Sequence, residues 1–373
     1  MNRTPLFAEH AALGAKLVDF AGWQMPIHYS GVVDEYQAVR TAAGLFDVSH
    51  MGRINVTGPG ALSFLQRVTV NNVAKLAPLD SHYSMVCNER GGIMDDVFLY
   101  HHKPQEYLLC VNASNREKIM VWLLKQAAGA TSVAIVDRSV EVAQLALQGP
   151  ASRSILSELG VTEIASLKPR RCLEGTLLGI PSLITRTGYT GELGYELYLP
   201  ADGAPRIWAE LLRRGRAAGL KPVGLGARDL LRLEMAYLLY GNDITEETTP
   251  LESGMDWIVA FHKGQFVGRE ALLGQKERGL VRRLVAFELL QKAVPRHGFK
   301  IVADGQSGGG VIGEVTSGNL SPLLQKGIGL GYAPPALATA GSSFAIDIRG
   351  RTVPAVVVKP PFYKRAQRAG EGL

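Results

Sequence analysis

The stretch QKERGLVRRLVAFEL, residues 275–289, divides the chain. Its first nine residues are dominated by charge, and the next six, LVAFEL, read as a strand. The chain beyond residue 289 keeps that character: FKIVADGQ (299–306), GVIGEV (310–315), SFAIDIRG (343–350) and VPAVVVK (353–359) are short β-type runs with glycine-containing turns between them. This spacing predicts a small β-barrel or sandwich over residues 276–373. Before the divide the pattern is mixed. Ser114 followed by Glu117 reads as a capping box ahead of IMVWLL (119–124), and Asp202 with Pro205 introduces IWAELL (207–212), both with apolar residues at helical spacing. Between and around them YLLCV (107–111), TSVAIV (131–136), VAQLAL (142–147) and PSLITR (181–186) read as strands. Residues 1–275 are therefore expected to form an α+β region, in two interleaved subdomains, and the whole chain an α+β fold.

The totals suit this reading. With 373 residues, 46% apolar and 20% charged, the chain has enough material for two or three domains with sizeable cores. MNRTPLFAEH at the start lacks an apolar signal region, and no run approaches the roughly 18 apolar residues of a membrane span, so a cytoplasmic location is expected. Cys87, Cys110 and Cys172 are odd in number and widely spaced, which predicts reduced, buried thiols and no zinc site. The formal charge of +6 is dispersed, with no nucleic-acid motif beside it; an acidic partner or anionic substrate accounts for its sign equally well.

Four stretches carry possible chemistry. NERGGIMDDVFLY (88–100) sets two glycines and two adjacent carboxylates at the mouth of a strand-like run. Side chains alternate along a strand, so Asp95 and Asp96 point to opposite faces, one of them inward. GLGARD (224–229) lacks the third glycine of a dinucleotide fingerprint, and no GxxxxGK[ST] occurs, so no nucleotide is expected. It leads into a helix with Arg228 in its first turn, where the guanidinium either receives a carboxylate or pairs with a neighbouring acid. RTGYTGELGYELYL (186–199) combines glycines, tyrosines and acids in a turn and a strand, a composition that fits a flat ligand or a surface hairpin. In FDVSHMG (46–52), His50 reads as a satisfied structural residue, because Ser49 beside it lacks the third group of a nucleophilic triad. The glycine-rich QSGGGVIGEV (306–315) reads as a hairpin turn.

These segments, with RTPLFAEH (3–10), GAKLVDFAGWQMPIHY (14–29), LQGP (147–150), YLLYGND (237–243), GEVTSGNLSP (313–322) and KPPFY (359–363), lie in an order that resembles the aminomethyltransferases, the T proteins of the glycine cleavage system. The resemblance spans nearly the whole chain. It implies a folate-binding α+β region and a C-terminal β-barrel, arranged around a central cavity that holds tetrahydrofolate as co-substrate, without metal or nucleotide. The implied partner is the lipoylated H protein, with functional association to the P and L proteins. The implied reaction transfers the methylene of the aminomethyl group on the lipoyl arm to tetrahydrofolate, releasing ammonia and giving 5,10-methylenetetrahydrofolate and dihydrolipoyl H protein.

By register the family's essential acid falls on Asp96, close to the reactive nitrogens of the folate, and Asp95 falls to a structural role. Glu196 matches the carboxylate expected at the donor-rich pterin edge. Met51, Tyr83, Asn112, Tyr189, Tyr237 and Arg228 match positions expected around the folate, with Trp257 as a wall aromatic. After KPPFY the chain offers Lys364 and Arg365; either could meet the glutamate tail, and only Arg365 has the bidentate fork. A folate-dependent demethylase or a non-catalytic folate-binding protein is the alternative of the same fold. KGQFVGRE (263–270) departs from the KGCYxGQE signature of the non-catalytic group, with Gln265 at the cysteine position.

Overall fold

The computed structural model describes residues 1–303 and 310–365. The first part of the chain builds a two-stranded ribbon, Lys16–Phe20 with Trp23–His28, and two larger sheets. One is a five-stranded antiparallel sheet in the order Ser81–Cys87, Ile93–Lys103, Glu106–Val111, Gly52–Thr57, Ala134–Asp137. The other has six strands in the order Cys172–Leu177, Ile180–Thr185, Gly194–Pro200, Val142–Gln148, Ala43–Asp47, Leu220–Pro222, antiparallel except for its last pair.

Strand alternation decides how these sheets stack. In the five-stranded sheet Ile54, Val97, Leu99, Leu109 and Val111 pack under the helices Ala61–Val68 and Arg116–Gln126 through Phe64, Leu65, Ile119 and Leu123. In the six-stranded sheet Leu145, Leu147, Ile184, Tyr195 and Leu197 pack under Ser152–Glu158 and Ala204–Gly215 through Ile155, Ile207, Trp208 and Leu211. The alternate residues, Tyr100, Leu108 and Cys110 on one sheet and Leu183 and Tyr198 on the other, meet between the sheets. The result is helix, sheet, sheet, helix, with both sheets turning their more polar faces inward.

The last third closes into a six-stranded barrel, Arg283–Leu289, Lys326–Ala333, Val311–Ser321, Lys300–Val302, Ser343–Ile348 and Arg351–Val358, with the first strand paired to the last. Phe287, Ile301, Val315, Phe344, Ile346 and Val353 fill it. Closure, not a sandwich, is thus how this segment avoids free sheet edges. A separate core joins barrel to sheets: Met85 and Ile93, Leu233 and Ile244, Phe266 and Leu272 pack with Ile328 and Leu330 of the barrel.

One local expectation is corrected. The helix expected to start from a Ser114–Glu117 capping box begins at Arg116, after a 3₁₀ turn Ala113–Asn115, and no side chain caps it. The Asn115 amide is committed instead to Asp95, at 2.6 Å. The hairpin turn expected in QSGGGVIGEV lies mostly outside the described residues; beyond it Val311–Ser321 is a strand that pairs antiparallel with Lys300–Val302. Cys87, Cys110 and Cys172 are buried free thiols, and burial pushes each up to about 12.

Candidate active site

The turn NERGG positions the first carboxylates. Asn88 Oδ1 accepts from the backbone N–H groups of Arg90 and Gly92, at 3.0 Å each, and Gly91 takes the left-handed conformation at φ 81°. A Cβ on Gly92 would lie 2.0 Å from the carbonyl oxygen of Glu246, so this position needs glycine for close approach of a second loop. The strand Ile93–Lys103 leaves this turn and separates its two aspartates as alternation requires. Asp95 is completely buried. Its carboxylate accepts from Asn115 Nδ2 at 2.6 Å, Asn112 Nδ2 at 2.8 Å and the Asn112 backbone N–H at 3.0 Å. Asp96, on the face shared with Phe98 and Tyr100, accepts from Tyr83 Oη at 3.0 Å and from Asn112 Nδ2 at 2.7 Å. Burial raises the proton affinity of both carboxyls; repulsion from Asp96 raises Asp95 further, and Asp243 adds to Asp96, which reaches about 6.

Across the space between the sheets lies Glu196, in Gly194–Pro200. Gln144 Nε2 donates to its Oε1 at 3.0 Å, Thr187 Oγ1 donates to its Oε2, and Tyr100 Oη lies 3.4 Å from that same oxygen. Tyr198 Oη donates to Tyr100 Oη at 3.1 Å, so two buried tyrosines tie the Glu196 sheet to the strand that carries Asp96. Arg228 sits in the first turn of the helix Leu225–Glu234. Its guanidinium lies 4.7 Å over the Tyr189 ring, and among the described residues it forms no ion pair. The neighbouring acid, Asp229, pairs with Arg232 instead. Burial lowers the Arg228 pKa, and the Tyr189 and Glu196 side chains raise it. An interior guanidinium without a carboxylate partner is matched to an anionic or electron-rich group. Tyr189 also stacks on Tyr237, with ring centroids 5.7 Å apart, and donates its hydroxyl to the Leu238 carbonyl.

The other expected residues are placed unevenly. Met51 is half-buried and packs against two apolar groups, the one between the sheets and the one that Ala227, Leu230 and Leu231 form with Phe46 and Ala146. Trp257 lies on the 3₁₀ turn Asp256–Ile258 with 66% of its surface exposed, so the protein does not enclose it as a wall. Lys364 is exposed and Arg365 half-buried, next to Tyr363, whose backbone N–H donates to the Glu234 carbonyl. His50 is buried, as expected of a structural residue, but is not satisfied: among the described residues its Nδ1 has no partner, and burial with the nearby Arg228 charge lowers its pKa to about 3. The glycines of RTGYTGELG also differ from the reading that they admit a flat ligand. A Cβ on Gly188 or Gly194 would collide with Gln148, and one on Gly191 with Met235, so they make room for protein side chains.

Sequence reasoning missed Tyr100, Tyr198, Gln144 and Thr187 around Glu196, and the ion pair of Arg232 with Asp243 at 2.7 Å beside Tyr189. The alternation in VAQLAL and GYELYL already sets Gln144 two residues from Ala146 and Tyr198 two residues from Glu196. What it lacked was the pairing of those strands, Glu196 opposite Ala146 and Tyr198 opposite Gln144. Among the described residues no group of three or more His, Cys, Asp or Glu could hold a metal ion.

Comparison with known proteins agrees across the chain. Residues 6–263 match the GCVT N-terminal domain, and residues 282–364 match the glycine cleavage T-protein C-terminal barrel domain. The chain is 49% identical to an aminomethyltransferase of Halothermothrix orenii, over 97% of this chain and 100% of that protein. It is 46% identical to one of Desulforamulus reducens, over 98% and 99%. The crystal structure of glycine cleavage system aminomethyltransferase T from Bartonella henselae superposes with a TM-score of 0.90 at 35% identity, covering 97% of this chain and 98% of that one.

Proposed function

Since the chain belongs to the glycine cleavage T-protein family and is an aminomethyltransferase of the glycine cleavage system, we propose that its intersheet site binds tetrahydrofolate and receives the aminomethyl group from the lipoyl arm of the H protein. One observation supports this most: two carboxylates held by neutral donors, Asp96 and Glu196, lie on facing sheets, with the Arg228 guanidinium, which forms no ion pair among the described residues, near Glu196.

The residues fit the ligand's chemistry. A reduced pterin presents an amino group and ring N–H groups at one edge, and Glu196, acceptor-only when ionised, matches them. Gln144 and Thr187 hold its carboxylate in place, so binding requires little reordering. Tetrahydrofolate supplies two nucleophilic nitrogens, N5 and N10, which form two C–N bonds to the methylene as its bonds to ammonia and to the lipoyl sulfur break. Asp96 orients that end and takes a proton as nitrogen attacks, and the two protons lost from N5 and N10 leave with ammonia and the thiol. Tyr83 donates to Asp96 and keeps its charge on the side where the amine becomes cationic. Tyr189 and Arg228 supply a flat, polar flank. Arg365 is the better candidate than Lys364 for the glutamate tail, by its fork geometry.

The assay is direct. Purified protein, aminomethylated H protein and tetrahydrofolate should yield methylenetetrahydrofolate and ammonia in equal amounts. Folate binding without turnover would overturn the assignment of this site as catalytic and favour a binding protein.

A further inference from the structure

The two carboxylates at the reactive end are linked by one amide. Asn112 Nδ2 lies 2.8 Å from Asp95 Oδ1 and 2.7 Å from Asp96 Oδ1, so each of its hydrogens is directed to one carboxylate. This fixes which way the amide points, because a carboxamide oxygen turned toward two carboxylates would be repelled. Asn112 Oδ1 is left without a partner among the described residues, on a half-buried side chain beside Asp96. Asp95 in turn is held by three donors, the Asn115 amide and the Asn112 backbone and side chain.

We propose that Asp95 is a positioning residue for the transfer reaction: through the Asn112 amide it fixes the orientation and proton affinity of Asp96, and turns the free Asn112 oxygen toward the substrate's N–H groups. The inference rests on the role of Asp96 as the acid at the folate nitrogens. Bridged by one neutral amide, the two carboxyls do not ionise together: Asp96 ionises first, with its pKa raised to about 6, while burial and the Asp96 charge hold the proton on Asp95 up to about 8. Burial and the facing charges act the same way on the pair. The groups that face it are Tyr83 from the neighbouring strand, Tyr189 from the turn before Gly194–Pro200, and Tyr240 and Asp243 from the loop after Leu225–Glu234. Arg232 neutralises Asp243, and Lys118 is shared between Tyr240 and Glu246. None of these reaches Asp96 through Asn112, so a change at residue 95 is read separately from them.

The test uses the full enzyme with aminomethylated H protein. Asp95→Asn removes the carboxyl and sets an amide hydrogen against three donors. We expect kcat to fall about tenfold and the acid limb of its pH profile to move higher, since Asp95 is neutral through that limb and its loss frees the Asn112 amide that donates to ionised Asp96. Asn112→Ala removes that donor to ionised Asp96 outright and should move the limb the same way and further. Asp95→Asn should cost nothing further in an Asp96→Asn background. If Asp95→Asn does not fold, Asn115→Ala, which takes away only the 2.6 Å donor, should shift the limb in the same direction by less. A limb unmoved in the folded variant overturns the inference, because loss of packing alone would lower stability and leave the profile in place. Wild-type turnover in Asp96→Asn would instead overturn the role of Asp96 itself.

Discussion

Asp96 is expected to carry the chemistry in its ionised form. Asp96→Asn keeps the shape and the Tyr83 contact but cannot accept a proton, so turnover should fall about 10²- to 10⁴-fold, well beyond the Asp95→Asn loss. Single-turnover rates with aminomethylated H protein measure both. With its pKa raised to about 6, Asp96 is charged above that pH and protonated below it, so wild-type turnover should decline as pH falls through about 6. A stopped assay from pH 5 to 8 would show the limb. At the other end, Glu196→Ala leaves pterin donors buried without a partner, a cost of about 1–3 kcal/mol, and should weaken folate binding roughly five- to 150-fold, measured by titration calorimetry. These acids were legible because each sits in a long motif: GGIMDD and GYEL carry them by register, and alternation alone separates Asp95 from Asp96. The residues that hold them were not. Tyr100 and Thr187 reach Glu196 from 96 and nine residues away, contacts that no local spacing encodes.

Elements were read better than their junctions. The strands YLLCV, VAQLAL and PSLITR and the helix over IWAELL stand where propensity and period put them, because each packs an apolar face on one core. The helix over IMVWLL starts at Arg116 because tertiary chemistry overrides a local signal: Asn115 serves a buried carboxylate instead of a helix end. Gly92 is the clearest test at this scale. Gly92→Ala sets a methyl 2.0 Å from the Glu246 carbonyl, and the loop must shift away from the mouth of the Asp96 strand. A loss of about 1–3 kcal/mol in urea unfolding is expected, with a further fall in kcat if the loop shift displaces Asp96.

For the molecule as a whole, a buried ionic hub joins the parts. Glu234 at the end of Leu225–Glu234 accepts from Arg40 at 2.7 Å, Tyr36 at 2.7 Å and the barrel residue Ser321 at 2.5 Å, while Arg40 also pairs with Glu192 at 3.0 Å and lies over the Tyr363 ring at 4.0 Å. Arg40→Met would strand two carboxylates that are at most 1% exposed, and should cost about 3–5 kcal/mol, read by denaturant unfolding. The sequence divided barrel from sheets by composition, but this hub draws on residues up to 198 apart and could not be anticipated from pattern.

The two facing sheets have one more effect. Asp96 and Glu196 each stand on a paired strand of a sheet, opposite Met85 and Ala146, so the interval between them is set by how two rigid slabs stack and not by a pliable loop. For a coenzyme bound as proposed, the fold then acts as a fixed gauge: a ring system of the right span touches both ends at once, and a shorter or longer analogue must forfeit one of them.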